Sequence, residues 1–252
     1  MPDTTGSITT ALTRYWGYSD FLPLQREAME SVLAQRDSLV VLPTGGGKSL
    51  CFQAPATILK GTALIVSPLI ALMKDQVDAL AECGIPAARL DSTLTSDEQR
   101  ATLAHLHQGN LKLLYLAPER LVSPGFAALL RRIRISFIAI DEAHCISMWG
   151  HDFRPEYREL GNLRDAFPGI AIHAYTATAT AQVREDITRQ LRLATPTVLV
   201  GSFDRPNLIY HARRRTNLMH QVCTVLDRHR GDSGIIYCIR RADVEKICEF
   251  LS

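Results

Sequence analysis

The chain has 252 residues, enough for one full domain and part of a second. Hydrophobic residues make up 46% and charged residues 21%, an ordinary globular balance that excludes a disordered or fibrous chain. A net charge of +2 permits a nucleic-acid partner without requiring one, because local patches matter more than the total.

The N-terminal MPDTTGSITT has no basic stretch ahead of an apolar run, so no secretory signal is expected. From there, short β-branched runs alternate with helix-spaced stretches. Strands are expected at SLVVL (38–42), ALIVS (63–67), AARL (87–90), LKLLYLA (111–117), SFIAID (136–141) and IAIHAY (170–175). Helical spacing falls between them, as in Leu69-Ala71-Leu72-Val77-Leu80 and Val183-Ile187-Leu191. Buried parallel strands joined by crossover helices read this way, which predicts a doubly wound α/β domain with helices on both faces of a parallel sheet. Pro206 and Asn207 interrupt the pattern. Beyond them a strand-like NLIYHAR, a helical LMHQVCTVLDR, a strand-like GIIYC and a helical ADVEKICEFLS suggest the opening of a second α/β domain. The expected division is 1–205 and 206–252.

No apolar run approaches the roughly 20 residues of a bilayer span, so a soluble protein with no membrane partner is expected. The six cysteines (Cys51, Cys83, Cys145, Cys223, Cys238 and Cys248) contain no C-x-x-C pair, so no disulfide framework or zinc site is expected. Reduced thiols in a cytosolic or nuclear setting follow.

Two strand ends carry chemistry. VVLPTGGGKSL, residues 40–50, places Gly45, Gly46, Gly47, Lys48 and Ser49 between a strand and a helix. A Gly-rich turn there gathers backbone N–H groups and a helix N-terminus around anionic oxygens. Lys48 would reach the β- and γ-phosphates of a nucleotide, and Ser49 would offer its hydroxyl to Mg²⁺. The first position of the usual G-x-x-x-x-G-K-S/T pattern is Leu42, not glycine. The second strand end is FIAIDEAH, where Asp141 would hold Mg²⁺ and Glu142 would orient and deprotonate water. Either feature alone is common in plain turns. Together they point to a nucleoside triphosphate with magnesium.

Asp-Glu-Ala-His after PTGGGKS resembles the superfamily 2 helicases, in which leucine or methionine can replace the opening glycine. GYSDFLPLQREAME, SPLIALMKDQV, LLYLAPERL, IDEAHCISMWGHDFRPEY, AYTATAT, FDRPNL and GIIYC follow in the order and spacing of RecQ-family DNA helicases. The likeness runs from about Tyr15 to the C-terminus. It implies a RecA-like P-loop domain, ATP and Mg²⁺ as cofactors, and single-stranded or partly duplex DNA as partner. The setting would be a bacterial cytoplasm near the nucleoid, or a nucleus.

The same resemblance implies roles for individual residues. Gln25 would bond the adenine edge, with Tyr18 packed on its ring, and Thr44 to Ser49 would wrap the phosphates. Asp141 and Glu142 would take the metal and water roles. His144 would link the site to a neighbouring domain. Ser67 and Pro68 would contact DNA phosphates, and Thr178, in the TATAT of residues 176–180, would couple hydrolysis to movement. Capping of the next helix is the competing account for Thr178 and Thr180.

Cys145 to Tyr157 resembles the family's aromatic-rich loop, with Trp149, His151, Phe153 and Arg154. Rings of this kind stack on bases for roughly 1–3 kcal/mol each, while burial as core is the alternative for any one ring. Leu22 and Met148 depart from the family's usual arginine and glutamine, affecting adenine contact and the loop's relay.

The expected activity is therefore ATP hydrolysis coupled to 3′-to-5′ DNA unwinding. A second motor domain with its arginine finger would come from a further segment or a protein partner, and such a residue is worth roughly 10³–10⁵ in rate in related systems. Two readings stand beside it: a non-catalytic nucleic-acid-binding or interaction module, and a superfamily 2 RNA helicase.

Overall fold

The computed structural model describes residues 4–202, 204 and 208–251. The chain divides into two compact units, Met1–Phe203 and Asp204–Ser252.

In the first unit, helices α1 (Thr4–Trp16) and α2 (Gln25–Leu33) precede strand β1 (Ser38–Val41) and helix α3 (Lys48–Ile58). Then come β2 (Thr62–Val66), α4 (Ile70–Glu82), β3 (Ala87–Leu90), α5 (Ser96–His107) and β4 (Leu113–Leu116). Two short helices, α6 (Pro118–Val122) and α7 (Pro124–Leu130), lead into β5 (Ile135–Ile140). A 3₁₀ turn (Ala143–Ile146), α8 (Pro155–Arg158), a second 3₁₀ turn (Glu159–Asn162) and α9 (Leu163–Ala166) precede β6 (Ile172–Thr176), α10 (Ala181–Gln190) and β7 (Thr197–Val200).

The seven strands are all parallel, in the order β3-β4-β2-β5-β6-β1-β7. The six expected strands of this unit are present, β3 with the expected ends and the others with ends shifted by at most two residues. β7 was not among the expected strands, although its Val198-Leu199-Val200 run is apolar and mostly β-branched; at the sheet edge its residues alternate between half-buried and exposed.

Period-two alternation sends successive side chains to opposite faces. Leu39, Val41, Leu64, Val66, Leu114, Ile138 and Ile140 join one buried cluster. Val40, Ala63, Ile65, Tyr115, Phe137 and Tyr175 join another. Both faces are covered, as a parallel sheet requires. The carboxyl ends of β1, β2, β5 and β6 therefore emerge on one rim, the usual ligand side of such sheets.

The second unit contains helices α11 (Leu218–Arg228) and α12 (Arg241–Leu251), both expected. The strands expected at 207–213 and 234–238 are absent among the described residues there. Their apolar side chains lie open, with Ile209, Tyr210, Ile235 and Tyr237 each more than three-quarters exposed. A strand gains stability from a laddered neighbour and covered faces, and these segments have neither. Pro206 and Asn207, which prompted the expected division, lie outside the described residues, as does Phe203.

Candidate nucleotide site and its link to the aromatic loop

The turn from β1 into α3 is shaped by its glycines. Gly45 (φ +82°) and Gly47 (φ +68°) occupy the left-handed region, where a Cβ is strained. A Cβ on Gly47 would also clash with Nε2 of Gln25. That side chain is buried and spans the gap: its Nε2 donates to the carbonyls of Gly46 (3.4 Å) and Gly47 (3.3 Å), and its Oε1 accepts the Leu22 N–H (2.9 Å). One amide thus fixes the segment before α2 onto the loop.

Beside it lies a cavity of about 480 Å³ lined in part by Trp16, Tyr18, Leu22, Gln25, Gly47 and Ser49. Tyr18 and Leu22 are about half exposed along its wall. Gln25 and Tyr18 therefore meet at one pocket with the loop, although Gln25's amide is engaged with backbone here. Thr44 opens the turn. Lys48 begins α3, and its Nζ donates to the Leu42 carbonyl at 3.1 Å.

On the same rim, Asp141 follows β5, and its N–H donates to the Val66 carbonyl of β2 at 2.8 Å. Burial first, and the Glu142 charge second, push the Asp141 carboxyl up to about 6. Backbone strain sits next door, where Glu142 has φ +47°, an uncommon conformation for a residue with a side chain. It turns the carboxylate toward His144, whose Nδ1 lies 3.2 Å from Glu142 Oε2 and 2.8 Å from Thr176 Oγ1. The hydrogen bond from His144 holds Glu142 below the usual carboxylate range. Thr176 ends β6, which lies between β1 and β5, and its carbonyl accepts the Leu42 N–H at 3.1 Å. Loop, acid pair and histidine are thereby connected across three adjacent strands. Thr176 Oγ1 is the link that sequence reading missed, since a threonine at a strand end gives no signal of its distant partner.

His144 also stacks on His151, with ring centroids 4.4 Å apart and planes 15° from parallel. A cavity of about 450 Å³ separates this stack from the turn before α10, lined by His144, Trp149, His151, Thr178, Ala179 and Val183 among others. Trp149 and Met148 are roughly two-thirds exposed, and Phe153 is partly exposed beside the Arg158 guanidinium. Tyr157 takes the other fate: fully buried, it donates to the Asp141 carbonyl at 3.1 Å. Arg154 pins the loop in two directions, to Asp152 Oδ2 (3.0 and 3.2 Å) and to the Pro68 carbonyl (3.0 Å). Ser67 is buried at the end of β2, and its hydroxyl has no partner among the described residues. Thr178 does not cap α10. Thr180 does, accepting the Val183 N–H at 3.3 Å.

A Gly-rich turn after β1, an acid pair after β5 and a ring-bearing loop are thus linked through Thr176 and His144 on one rim of the sheet. The DEAD/DEAH box helicase family matches residues 22–187, and the chain belongs to that family. Within it the chain is similar to the ATP-dependent DNA helicase RecQ of Pasteurella multocida, at 49% identity over 94% of this chain and 37% of that protein. RecQ of Bacillus subtilis is 43% identical over 95% of this chain and 41% of its own length. The chain thus spans about two fifths of these relatives. Among solved structures, the DUF1998 helicase MrfA superposes with a TM-score of 0.68 at 20% identity, covering 100% of this chain and 41% of that one. A hypothetical ATP-dependent RNA helicase from Sulfolobus tokodaii gives 0.58 at 17% identity, covering 79% of this chain and 57% of that one. At such identities these two likenesses carry the fold.

Proposed function

We propose that this chain is the first motor domain of a RecQ-type ATP-dependent DNA helicase, binding ATP–Mg²⁺ on the rim and sensing single-stranded DNA through the loop after β5. The observation that carries the reading is the connection Leu42–Thr176–His144–Glu142, which ties the phosphate loop to the acid pair. Fit to the cofactor rests on the buried Asp141 carboxylate and on a glycine cradle that a Cβ on Gly47 would fill.

Ser49 and Asp141 would hold Mg²⁺, which when bound neutralises charge on the phosphate oxygens. The Gly45–Gly47 backbone would receive the phosphates. Lys48, whose amine rests on a backbone carbonyl, supplies the mobile positive charge. Glu142, kept ionised by His144, is the proton acceptor for water. Tyr18, with Gln25 behind it, faces the base. Trp149, His151 and Phe153 offer ring faces to DNA bases, while Arg154 fixes the loop and Ser67, Pro68 and Thr178 flank it. Movement of the loop would reach Glu142 through the stacked pair His151–His144.

The test is ATP binding and hydrolysis by the purified chain, with and without single-stranded DNA, beside Lys48→Ala and Glu142→Gln. Expected are Mg²⁺-dependent ATP binding that Lys48→Ala abolishes and very weak hydrolysis by the chain alone. When a second motor domain is supplied, DNA-stimulated turnover should appear, and Glu142→Gln should lower it by roughly 10²–10⁴ with binding kept. ATP binding indifferent to Lys48 would overturn the reading. Stimulation by RNA and not by DNA would replace it with the RNA-helicase alternative.

A further inference from the structure

We propose that His144, Cys145 and Asp152 form a binding site for a thiophilic divalent cation of the zinc type. One donor atom from each lies within 4.8 Å of the other two. Cys145 Sγ is 3.9 Å from His144 Nε2 and 3.8 Å from Asp152 Oδ2. Tetrahedral zinc with nitrogen, sulfur and oxygen ligands separates its donors by roughly 3.3–3.8 Å, so small side-chain adjustments close the set. An imidazole, a thiol and a carboxylate favour zinc over magnesium, which prefers oxygen alone.

The surroundings are arranged as for a ligand histidine. Nδ1 of His144 is already engaged by Thr176 Oγ1 and the Glu142 carboxylate, which directs Nε2 toward the thiol. A second-shell carboxylate on the far nitrogen is a recurrent feature of zinc-bound imidazoles and raises their basicity. His144 and Cys145 are buried in a 3₁₀ turn, so little disorder has to be removed to hold them. Asp152 is brought back by the backbone bond from the Arg154 N–H to the Cys145 carbonyl, 2.9 Å. Asp152 Oδ2, the oxygen nearest the thiol, also accepts both Arg154 side-chain bonds, so a cation would share that carboxylate with the guanidinium. With three protein ligands, the fourth position is left to water. A search for paired cysteines misses such a set, because two ligands adjoin and the third returns seven residues later.

A cation here would clamp the aromatic loop to the end of β5 and polarise the imidazole that holds Glu142. That consequence rests on the role proposed for Glu142; the site itself does not.

The test titrates Co²⁺ into the full, reduced chain and reads the near-ultraviolet thiolate-to-cobalt charge-transfer band, with Zn²⁺ as competitor. Expected is a band that saturates at one equivalent and is displaced by equimolar Zn²⁺. It should vanish in Cys145→Ser, weaken roughly tenfold or more in affinity in Asp152→Asn, and persist in Cys83→Ser and Cys248→Ser. No band in the folded wild-type chain, or a band that survives Cys145→Ser, would overturn the proposal. Should Cys145→Ser fail to fold, the half-exposed Asp152 decides: unchanged Co²⁺ affinity in Asp152→Asn overturns it. Loss of ATP binding in the wild type with the band intact would count against the nucleotide reading alone.

Discussion

At the amino-terminal rim of the sheet, Asp37 uses both carboxylate oxygens on fixed partners: Oδ1 accepts the Ile172 N–H (2.9 Å), and Oδ2 accepts the Ala194 N–H (2.6 Å) and the Arg164 guanidinium. At the carboxyl rim, Glu142 sits in a strained conformation and shares one histidine with Thr176, while Ser67 has a buried hydroxyl without a partner among the described residues. Both rims belong to the same strands and bury the same kinds of group. A saturated group such as Asp37 only has to hold the fold together, although the same rim also buries Ser136 Oγ and His173 Nε2 without a partner among the described residues. What sets the carboxyl rim apart is one histidine shared between a strained Glu142 and Thr176, an arrangement whose partners change when a ligand arrives.

The largest expected effect lies at the saturated Asp37. Asp37→Ala leaves Arg164 and two N–H groups without their acceptor and should lower the unfolding free energy by about 3–5 kcal/mol, read by urea denaturation. ATP affinity of the folded fraction should not move. If it falls while stability holds, the contrast between the rims is wrong.

His173 gives the same rim a pH signature. It is fully buried on β6, with Nδ1 2.9 Å from Ser38 Oγ, and burial, aided by the Arg164 charge, lowers its pKa to about 3. The unfolded chain, with a histidine near 6.5, binds the extra proton between these values, so stability rises with pH across that window. It is complete above about 6.5 and is lost as pH falls toward 3, by about 2 kcal/mol at pH 5. Urea midpoints at pH 7 and 5 should therefore differ more in the wild type than in His173→Gln. Equal differences would assign the acid sensitivity elsewhere.

The functional rim predicts the opposite division of effects. Gly47→Ala forces a side chain into the left-handed region and against Gln25, costing about 1–2 kcal/mol in stability. Its main effect should be on ATP–Mg²⁺ binding, because the loop can no longer present its N–H groups in one concave arc. Adding Gln25→Ala should restore part of the stability but not the binding, measured by thermal melts with and without nucleotide.

Much of this was legible before the structure, for a physical reason. The phosphate loop and Asp141-Glu142 are contiguous in sequence, and buried parallel strands are continuous apolar runs, so both leave local signals. The partnerships that make the rim a site are not local. Gln25 reaches across 22 positions to Gly47 and His144 across 32 to Thr176, and only the strand order brings them together. β7 was missed although its Val198-Leu199-Val200 run carries the same local signal as the strands that were expected. The strands expected at 207–213 and 234–238 failed because apolar alternation without a neighbour does not make a ladder.

The smallest effect separates two threonines that the sequence could not. Thr180 Oγ1 accepts the Val183 N–H at 3.3 Å, the long end of the normal range, so it caps α10 weakly. Thr180→Ala should cost about 1 kcal/mol or less. Thr178 makes its contacts with Thr176 through its own backbone: its N–H donates to Thr176 Oγ1 (3.4 Å), and its carbonyl accepts from the same hydroxyl (3.2 Å). Neither bond needs the Thr178 side chain, which instead lines the cavity beside His144 and Trp149. Thr178→Ala should therefore leave the urea midpoint where it was and alter DNA stimulation of ATP hydrolysis once the second motor domain is supplied. Equal destabilisation by the two substitutions would make both threonines helix caps, and the turn before α10 would then belong, like Asp37, with the groups that only hold the fold together.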